Sequence, residues 1–204
     1  MKQETQTKKI AIFASGNGSN AENIVTYFRN THCGGEVALI ICNKSEAPVM
    51  ERAARLGIPA HVVTQKQLND PEFMLTLLEG HGIDIVVLAG FLLMIPPFLI
   101  NRYQQLMVNI HPSLLPKYGG KGMYGRHVHE AVVAAGEQET GITIHFVSEH
   151  YDKGRIIFQA STPVAPTDTP ADVARKVQQL ETQHFAPTLH RTFFSLPLSI
   201  NDME

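Results

Sequence analysis

The sequence predicts an α/β fold in which a single domain is built on a doubly wound, mostly parallel sheet with helices on both faces. The first reason is that short apolar runs alternate with segments of helical character along most of the chain, as in successive βαβ units. The second is length, since 204 residues are enough for one such domain with a substantial core. The third is that no internal repeat and no low-complexity linker divides the sequence.

The predicted strands are short apolar runs bounded by glycine, proline or polar residues. They cover residues 9–14, 36–42, 60–63, 84–89, 106–110, 140–147 and 155–164. Residues 85–100 are nearly all apolar, but one glycine and two prolines interrupt them. This stretch is short for a membrane span, and it predicts a buried strand followed by a loop.

The predicted helices lie between these strands and cover residues 21–29, 47–57, 71–81, 126–135 and 170–194. Gly57 is suited to end the second helix, because glycine adopts the left-handed conformation that closes a helix. Thr169 is suited to cap the last helix, with Pro170 in its first turn and Asp172 close to its positive end.

Composition and charge exclude several classes of protein. The formal net charge is −2, with 17 Lys and Arg against 19 Asp and Glu, so no broad basic field for nucleic acid is expected. Two cysteines are too few for a disulfide framework and suit a reducing compartment. The polar start of the chain lacks an apolar signal core, so a cytoplasmic location is predicted. The predicted divisions are a polar extension over 1–8, one domain over 9–195 and a tail over 196–204.

The strongest chemical signal is Asn109-Ile110-His111, at the end of the strand predicted for 106–110 and just before Pro112. Side chains two apart on a strand point to the same face, so Asn109 and His111 project together. In an open α/β sheet the carboxyl ends of the strands hold the site. An amide and an imidazole there could stabilise a developing oxyanion and move a proton. Taken alone, the pair is better explained as two core polar groups satisfied by neighbours.

A second signal is the segment Gly16-Asn17-Gly18-Ser19-Asn20, between the first strand and the first helix. Glycines there let the backbone approach a phosphate, and a helix start offers free N–H groups and a positive dipole end. A dinucleotide would also require an acidic residue at the tip of the second strand, where Cys42-Asn43-Lys44 has none. A single phosphate is therefore favoured, and a helix start occupied by water is the alternative.

Residues 109–116, Asn-Ile-His-Pro-Ser-Leu-Leu-Pro, resemble the signature of the folate-dependent formyltransferases, and the resemblance extends over residues 9 to about 190. It implies a Rossmann-like formyltransferase fold. It also implies transfer of the formyl group from 10-formyltetrahydrofolate, as co-substrate, to the amine of glycinamide ribonucleotide in purine biosynthesis. Gly16 to Asn20 is similar to the phosphate loop of the ribotide-using branch. The branch acting on methionyl-tRNA carries a further C-terminal domain and the deformylase a further N-terminal one, for which this chain has no room.

The resemblance also implies roles for individual residues. Asn109, His111 and Asp152 correspond to the catalytic residues, and the Asp152 carboxylate is expected to raise the pKa of His111 and keep its ring cationic when substrate binds. Gly18, Ser19 and Asn20 correspond to the phosphate-binding residues, and Gln178 and Glu181 to those meeting the rest of the ribotide. The residues implied to bind the folate are Phe91, Leu92, Leu93, Met94, Ile95, Ser148, His150 and Tyr151.

The chain departs from the family pattern at several positions. Leu93 stands where many members have an arginine, and Gln65-Lys66-Gln67 lacks another one, so the contacts to the folate glutamate tail are unassigned. The glycine-rich segment GGKGMYG over 119–125 is longer than in many relatives. His129 matches a histidine usual at the start of the following helix. His145 could line the site or be a satisfied core histidine.

Other functional classes remain open at this point. No metal is expected, because His127 and His129 diverge on a helix and no cysteine pair has zinc spacing. The alternatives within the family are a deformylase or another amine formyltransferase. Outside it, a nicotinamide-dependent oxidoreductase and a non-catalytic phosphate-binding module are the competing interpretations. Small-molecule substrates are the expected partners of a monomer or weak homodimer, without nucleic acid or membrane.

Overall fold

The structure, a computed structural model, describes residues 7–195, in which strands and helices alternate from the first strand to the last helix. The predicted extension over 1–8 and tail over 196–204 lie outside the described residues, except that β1 already begins at Lys8. In chain order the elements are β1 (Lys8–Ala14), α1 (Ser19–Thr31), β2 (Gly35–Cys42), α2 (Pro48–Leu56), β3 (Ala60–Val62), α3 (Gln65–Leu68), α4 (Pro71–Gly80), β4 (Ile83–Leu88), α5 (Pro97–Arg102), β5 (Met107–His111), α6 (Arg126–Ala134), β6 (Glu139–Phe146), β7 (Ile156–Pro163) and α7 (Pro170–Phe193).

The strands form one seven-stranded sheet in the order β3-β2-β1-β4-β5-β6-β7. The pairs from β3 to β5 are parallel, whereas β6 runs antiparallel to β5 and β7 antiparallel to β6. The strand order reverses between β1 and β4, which is where an open sheet leaves a crevice at its carboxyl edge. The antiparallel β6 matters for the site, because its register places His145 opposite Asn109 and Thr143 opposite His111.

The sheet separates two hydrophobic clusters, as alternation along β1 shows. Ile10 and Ile12 belong to the cluster that α1, α2, α6 and α7 cover, while Ala11 and Phe13 belong to the cluster under α3, α4 and α5. Both sets are fully buried on β1, which explains why this central strand is a continuous apolar run. Helices on both faces of a mostly parallel sheet confirm the predicted fold class.

The predicted element types are confirmed for every strand, with bounds that shift by one or two residues. Gly57 ends α2 at a φ of 65°, and Thr169 caps α7 in a capping box with Asp172. The loop predicted after β4 is wrong in part, since Pro97–Arg102 is helix α5. Its two prolines begin the helix, Pro96 as the cap and Pro97 in the first turn, where a missing N–H costs nothing.

Two further differences concern short helical segments. The four residues of α3 were not predicted, and Thr64 and Gln67 stabilise this turn by reciprocal capping hydrogen bonds. Helix α1 begins at Ser19 rather than at residue 21, directly after Gly18. Among residues 7–195, no helix has both the length and the apolar character needed to cross a bilayer.

Candidate active site

A cavity of about 770 Å³ opens at the carboxyl edge of the sheet, where the loops after β1, β4, β5 and β6 meet the face of α7. Every residue that the sequence predicts for the site lines this cavity. The structure therefore brings together the glycine loop, the apolar loop after β4, the Asn109/His111 pair, the loop containing Asp152, and the Gln178/Glu181 face.

The glycine loop presents the start of α1 to the cavity without a side-chain cap. Gly18 is the residue before the helix and has a φ of 78°, a left-handed conformation that L side chains rarely adopt. A Cβ on Gly18 would also lie 2.5 Å from Cγ2 of Val49. Glycine is therefore required at this position for two reasons, and the first N–H groups of the helix remain available to an anion.

The side chain of Asn20 contacts α7 rather than lying free in the cavity. Its Nδ2 donates to Oε2 of Glu181 at 2.9 Å, which joins the predicted phosphate end to the predicted ribotide face. Burial raises the pKa of Glu181, and the hydrogen bond from Asn20 opposes this rise. Gln178, one turn earlier on the same face of α7, is exposed to the cavity.

The residues predicted to be catalytic lie where parallel β5 meets antiparallel β6. Asn109 and His145 are directly paired across the two strands, and Asn109 Nδ2 lies 3.1 Å from His145 Nε2. The other ring nitrogen of His145, Nδ1, is 2.9 Å from the carbonyl of Phe146 and donates to it. His145 Nε2 thus accepts one amide hydrogen of Asn109, and the second amide hydrogen remains for a ligand. His145 is both buried and part of the site, so neither of its two sequence interpretations excludes the other.

Asp152 lies between the two histidines in the turn after β6, with a φ of 54°. Its Oδ2 accepts from the N–H of Gly120 at 2.8 Å and is 3.5 Å from His111 Nδ1. Its Oδ1 is 3.6 Å from His145 Nε2. Burial raises the pKa of Asp152, but His145, His111 and the Gly120 N–H together hold it below its ordinary value. Asp152 is therefore a carboxylate, and its Oδ2 faces the His111 ring.

His111 is only 4% exposed, and its Nε2 lies 2.7 Å from the carbonyl oxygen of Tyr118. Because a carbonyl only accepts, Nε2 carries a proton and Nδ1 is the nitrogen that faces Asp152. Burial lowers the pKa of His111, and the Asp152 carboxylate and the Tyr118 carbonyl offset only part of this effect. The Asp152 carboxylate acts on the pKa of His111 in the expected direction, and desolvation of the buried ring is the larger, opposing effect. That the ring is cationic when substrate binds stays a prediction.

The predicted folate wall forms the apolar side of the cavity. Gly90 turns the chain at a φ of 75° after β4, and the N–H of Leu92 donates to Ser15 Oγ at 2.9 Å. Leu92 is 45% exposed and Met94 51% exposed, and both line the cavity within one contiguous apolar loop. On the opposite side, Tyr151 is 43% exposed. Aliphatic and aromatic groups facing an open cavity suit a flat heterocycle.

Several groups at the site were not predicted from the sequence. The Tyr118 carbonyl and the Gly120 N–H are backbone groups, and no side-chain pattern reveals their direction. The segment GGKGMYG also lines the cavity, and within residues 7–195 its Lys121 is the only lysine or arginine to do so. His129 lies in the first turn of α6, lines the cavity, and has a pKa lowered mainly by burial. Glycine enrichment around Lys121 was the one signal that could have identified this loop.

Metal ligation has no support among the described residues. Within residues 7–195, no group of three His, Cys, Asp or Glu side chains could hold an ion. His127 faces Glu130 on the surface, while His129 is buried against the cavity, so the two rings diverge. Cys33 and Cys42 are both free thiols.

The chain is also similar to known proteins in sequence. Residues 8–189 match the model of the formyl transferase family. The chain is 40% identical over 179 residues to the chloroplastic phosphoribosylglycinamide formyltransferase of Arabidopsis thaliana, covering 85% of this chain and 61% of that protein. It is 33% identical over 199 residues to the Haemophilus influenzae enzyme of the same name, covering 96% of this chain and 91% of the relative. The chain spans about three fifths of the length of the plant relatives that it matches.

The fold is also similar to that of solved structures. The phosphoribosylglycinamide formyltransferase of Anaplasma phagocytophilum superposes with a TM-score of 0.84 at 31% identity, covering 96% of this chain and 92% of that one. Because the two chains are also similar in sequence over nearly the whole domain, their similarity is not limited to the fold.

Proposed function

Because the chain belongs to the formyl transferase family, we propose that it transfers the formyl group of 10-formyltetrahydrofolate to the amine of glycinamide ribonucleotide, a step of purine biosynthesis. The observation that carries the proposal is the Asn109, His111 and Asp152 cluster, set between an uncapped helix start and an apolar wall in one cavity. The relatives named above support the choice of acceptor.

The two ends of the cavity divide the substrates between them. The uncapped start of α1 at Gly18, Ser19 and Asn20 binds the ribotide phosphate through backbone N–H groups. Glu181 and Gln178 contact the ribose and glycinamide portion. The pterin ring lies against Phe91 to Ile95 on one side and against Ser148, His150 and Tyr151 on the other. This arrangement directs the amine and the formyl group to the cluster between the two ends.

The chemistry follows from the hydrogen-bonding capacity of the cluster. The amine nitrogen attacks the formyl carbon, and the electrons of the carbonyl bond move onto its oxygen. The second amide hydrogen of Asn109 donates to that oxygen. His111 Nε2–H is committed to Tyr118, so Nδ1 donates to the oxygen only when the ring is an imidazolium.

Proton transfer completes the reaction without a covalent enzyme intermediate. The attacking amine loses a proton as the bond from the formyl carbon to the folate nitrogen breaks, and that nitrogen gains one. The Asp152 carboxylate, with its lowered pKa, orients a water that relays this proton. The same carboxylate stabilises the imidazolium of His111 at a separation of 3.5 Å.

The test is an absorbance assay of folate product release with purified protein. Release that requires glycinamide ribonucleotide and yields its formylated product supports the proposal. Release by water alone would identify a deformylase instead, and release with another amine would identify a different formyltransferase. No release with any acceptor would overturn the formyl-transfer assignment. The proposal includes a cytoplasmic monomer or weak homodimer acting on small molecules, as a single domain over residues 9–195.

A further inference from the structure

Outside the cavity, Glu137 makes three hydrogen bonds to Lys117 and Tyr118, the residues that lead to the His111 ring. Glu137, in the turn between α6 and β6, accepts from Tyr118 Oη at 2.9 Å. Lys117 Nζ donates to both oxygens of the same carboxylate, at 3.0 Å each. Burial, and then Glu137 itself, raise the pKa of Tyr118, so the phenol remains a hydrogen donor. None of these three residues lines the cavity.

Tyr118 has a left-handed backbone, with a φ of 54°. A non-glycine residue in that conformation is disfavoured and persists only where its surroundings hold it. In this conformation the carbonyl of Tyr118 accepts from His111 Nε2 at 2.7 Å. Two residues later, the N–H of Gly120 donates to the Oδ2 of Asp152 that faces His111. One short segment of backbone therefore orients both members of the catalytic pair.

Hydrogen bonds fix the start of this segment, and the Gly120 N–H fixes its end on Asp152. Ser113, which is fully buried, donates to the carbonyl of Lys117 at 2.6 Å, and the N–H of Lys117 donates to the carbonyl of Leu114 at 3.1 Å. The Tyr118 ring packs against the larger hydrophobic cluster, and its hydroxyl is oriented by the hydrogen bond to Glu137. A carboxylate outside the cavity therefore contributes to the conformation of Tyr118.

We propose that Glu137 is a positioning residue for His111: by holding Tyr118 in its left-handed conformation, it fixes the proton of His111 on Nε2 and leaves Nδ1 to face Asp152 and the cavity. This inference rests on the proposed function only for its consequence in catalysis. The arrangement of the proton on the ring is a property of the protein without substrate. It can be measured whether or not the chain transfers formyl groups.

The groups that face His111 come from three other segments. Asp152 follows β6, His145 lies on β6, and His129 lies on α6. Glu137 is not among them, so its removal acts on His111 through Tyr118. Loss of the Tyr118 carbonyl removes an acceptor that favours the cationic ring, and the pKa of His111 then falls further. The fraction of imidazolium at neutral pH falls with it.

Three variants form a graded series. Tyr118→Phe removes the donor, Glu137→Ala removes the acceptor, and Glu137→Gln keeps an amide oxygen that can still accept from the phenol. Glu139→Gln is the matched control, because it removes the same charge two residues along, on an exposed side chain for which no hydrogen bond or ion pair occurs among the described residues. The first two variants should behave alike, and Glu137→Gln should be intermediate.

The measurement is nuclear magnetic resonance of the imidazole nitrogens of His111 against pH, followed by the dependence of kcat on pH. We expect Nε2–H alone in the wild type, and a mixture of Nε2–H and Nδ1–H in Tyr118→Phe and Glu137→Ala. In those two variants the His111 pKa should fall by about half a unit to one unit, and kcat at neutral pH by about three- to tenfold, at unchanged KM. The exposed rings of His32 and His61 serve as internal references.

A wild-type His111 tautomer and pKa in both Tyr118→Phe and Glu137→Ala would overturn the inference. If Glu137→Ala fails to fold, Tyr118→Phe decides alone, since it deletes only one oxygen. A changed tautomer together with undiminished formyl transfer would support the positioning role and remove His111 from the proposed chemistry. Absence of transfer in the wild type would overturn the proposed function and leave the tautomer result intact.

Discussion

The two ends of the cavity differ in the groups that they present: backbone N–H groups at one end and side chains at the other. At the proposed phosphate end, one continuous segment from Gly16 to Asn20 presents the start of α1, where the available donors are backbone N–H groups. At the catalytic end, side chains of Asn109, His111, His145 and Asp152 meet from separate segments, and three of the four are titratable. The first end depends on local conformation, and the second depends on the register of β5 with β6.

This difference predicts different responses to mutation. Backbone donors cannot be removed by truncating side chains, so only a change in conformation should damage the phosphate end strongly. The catalytic end should lose function when any one side chain is truncated, because each makes a contact that no neighbour can replace. It should also respond to pH, whereas peptide N–H groups do not titrate.

The largest expected effect follows truncation at the catalytic end. Removing one oxyanion donor typically costs about 10²–10³ in turnover, so Asn109→Ala and His111→Ala should each lose at least that much. Residues acting as a unit are not additive, so His111→Ala/Asp152→Asn should be little worse than the worse single variant. Steady-state kcat for the singles and the double tests this. Fully additive losses would show that Asp152 does not act through His111.

The dependence of kcat on pH also distinguishes the two ends of the cavity. Asp152 raises the pKa of His111, so in Asp152→Asn that pKa falls, and activity that needs the imidazolium is lost at lower pH than in the wild type. The low-pH limb, where Asp152 itself takes up a proton, should disappear. Both limbs are read from kcat against pH, with Glu139→Gln as the control. An unchanged profile would remove the carboxylate from the site.

At the phosphate end the largest effect should come from Gly18→Ala. The substitution adds a Cβ 2.5 Å from Val49 Cγ2 and forces alanine to a φ near 78°. We expect a loss of about 2 kcal/mol or more in unfolding free energy, and a higher KM for the ribotide. Gly16→Ala is the matched control, because a Cβ there has no atom within 4 Å. Equal effects of the two substitutions would contradict the special role of Gly18.

A smaller effect is expected from Asn20→Ala. It removes the donor to Glu181 and should raise the KM for the ribotide more than that for the folate, by roughly 1–3 kcal/mol in binding. Asn23→Ala is the control, since Asn23 Nδ2 joins the same two helices through the carbonyl of Thr182 at 2.9 Å but does not line the cavity. Equal changes in both KM values, or none, would count against a ribotide contact.

The smallest expected effect is the change in folate affinity with the length of the glutamate tail. Leu93 and Gln65-Lys66-Gln67 stand where arginines were expected, so monoglutamyl and polyglutamyl folates should bind with affinities within about tenfold, or about 1.4 kcal/mol. Titrations with both forms check this. A larger preference would point to a tail-binding cation, and Lys121→Met would then be the first variant to test.

The glycine loop at the proposed phosphate end was predictable because its conformation depends on residues that are adjacent in the sequence. Glycines between an apolar strand and a helix indicate a close backbone approach, and Gly18 adopts the positive φ that such a turn requires. The shared direction of Asn109 and His111 followed equally from strand alternation. Helix α5 was missed because Pro96 and Pro97 were interpreted as loop residues, although proline also begins helices.

The rest of the catalytic end could not be predicted from residue pattern. The pairing of Asn109 with His145 depends on a register between strands about 35 residues apart, and the β6–β7 register shifts by a bulge at His145 itself. The direction of the Tyr118 carbonyl depends on one left-handed residue. The burial that lowers the pKa of His111 could not be predicted either, because the sequence identifies the neighbouring carboxylate but not the exposure of the ring.

The order in which a ribosome releases this chain gives the contact between α1 and α7 a further meaning. Helix α1 belongs to the first units to be synthesised, yet Asn20, Asn23 and Tyr27 wait for partners on α7, at Glu181, Thr182 and His190. A nascent chain that ends at β7 lacks α7, which supplies Val177, Phe185 and Leu189 to the larger hydrophobic cluster, so the core of this domain is completed only with its last helix. The proposed ribotide end, which includes Glu181, is completed at the same step.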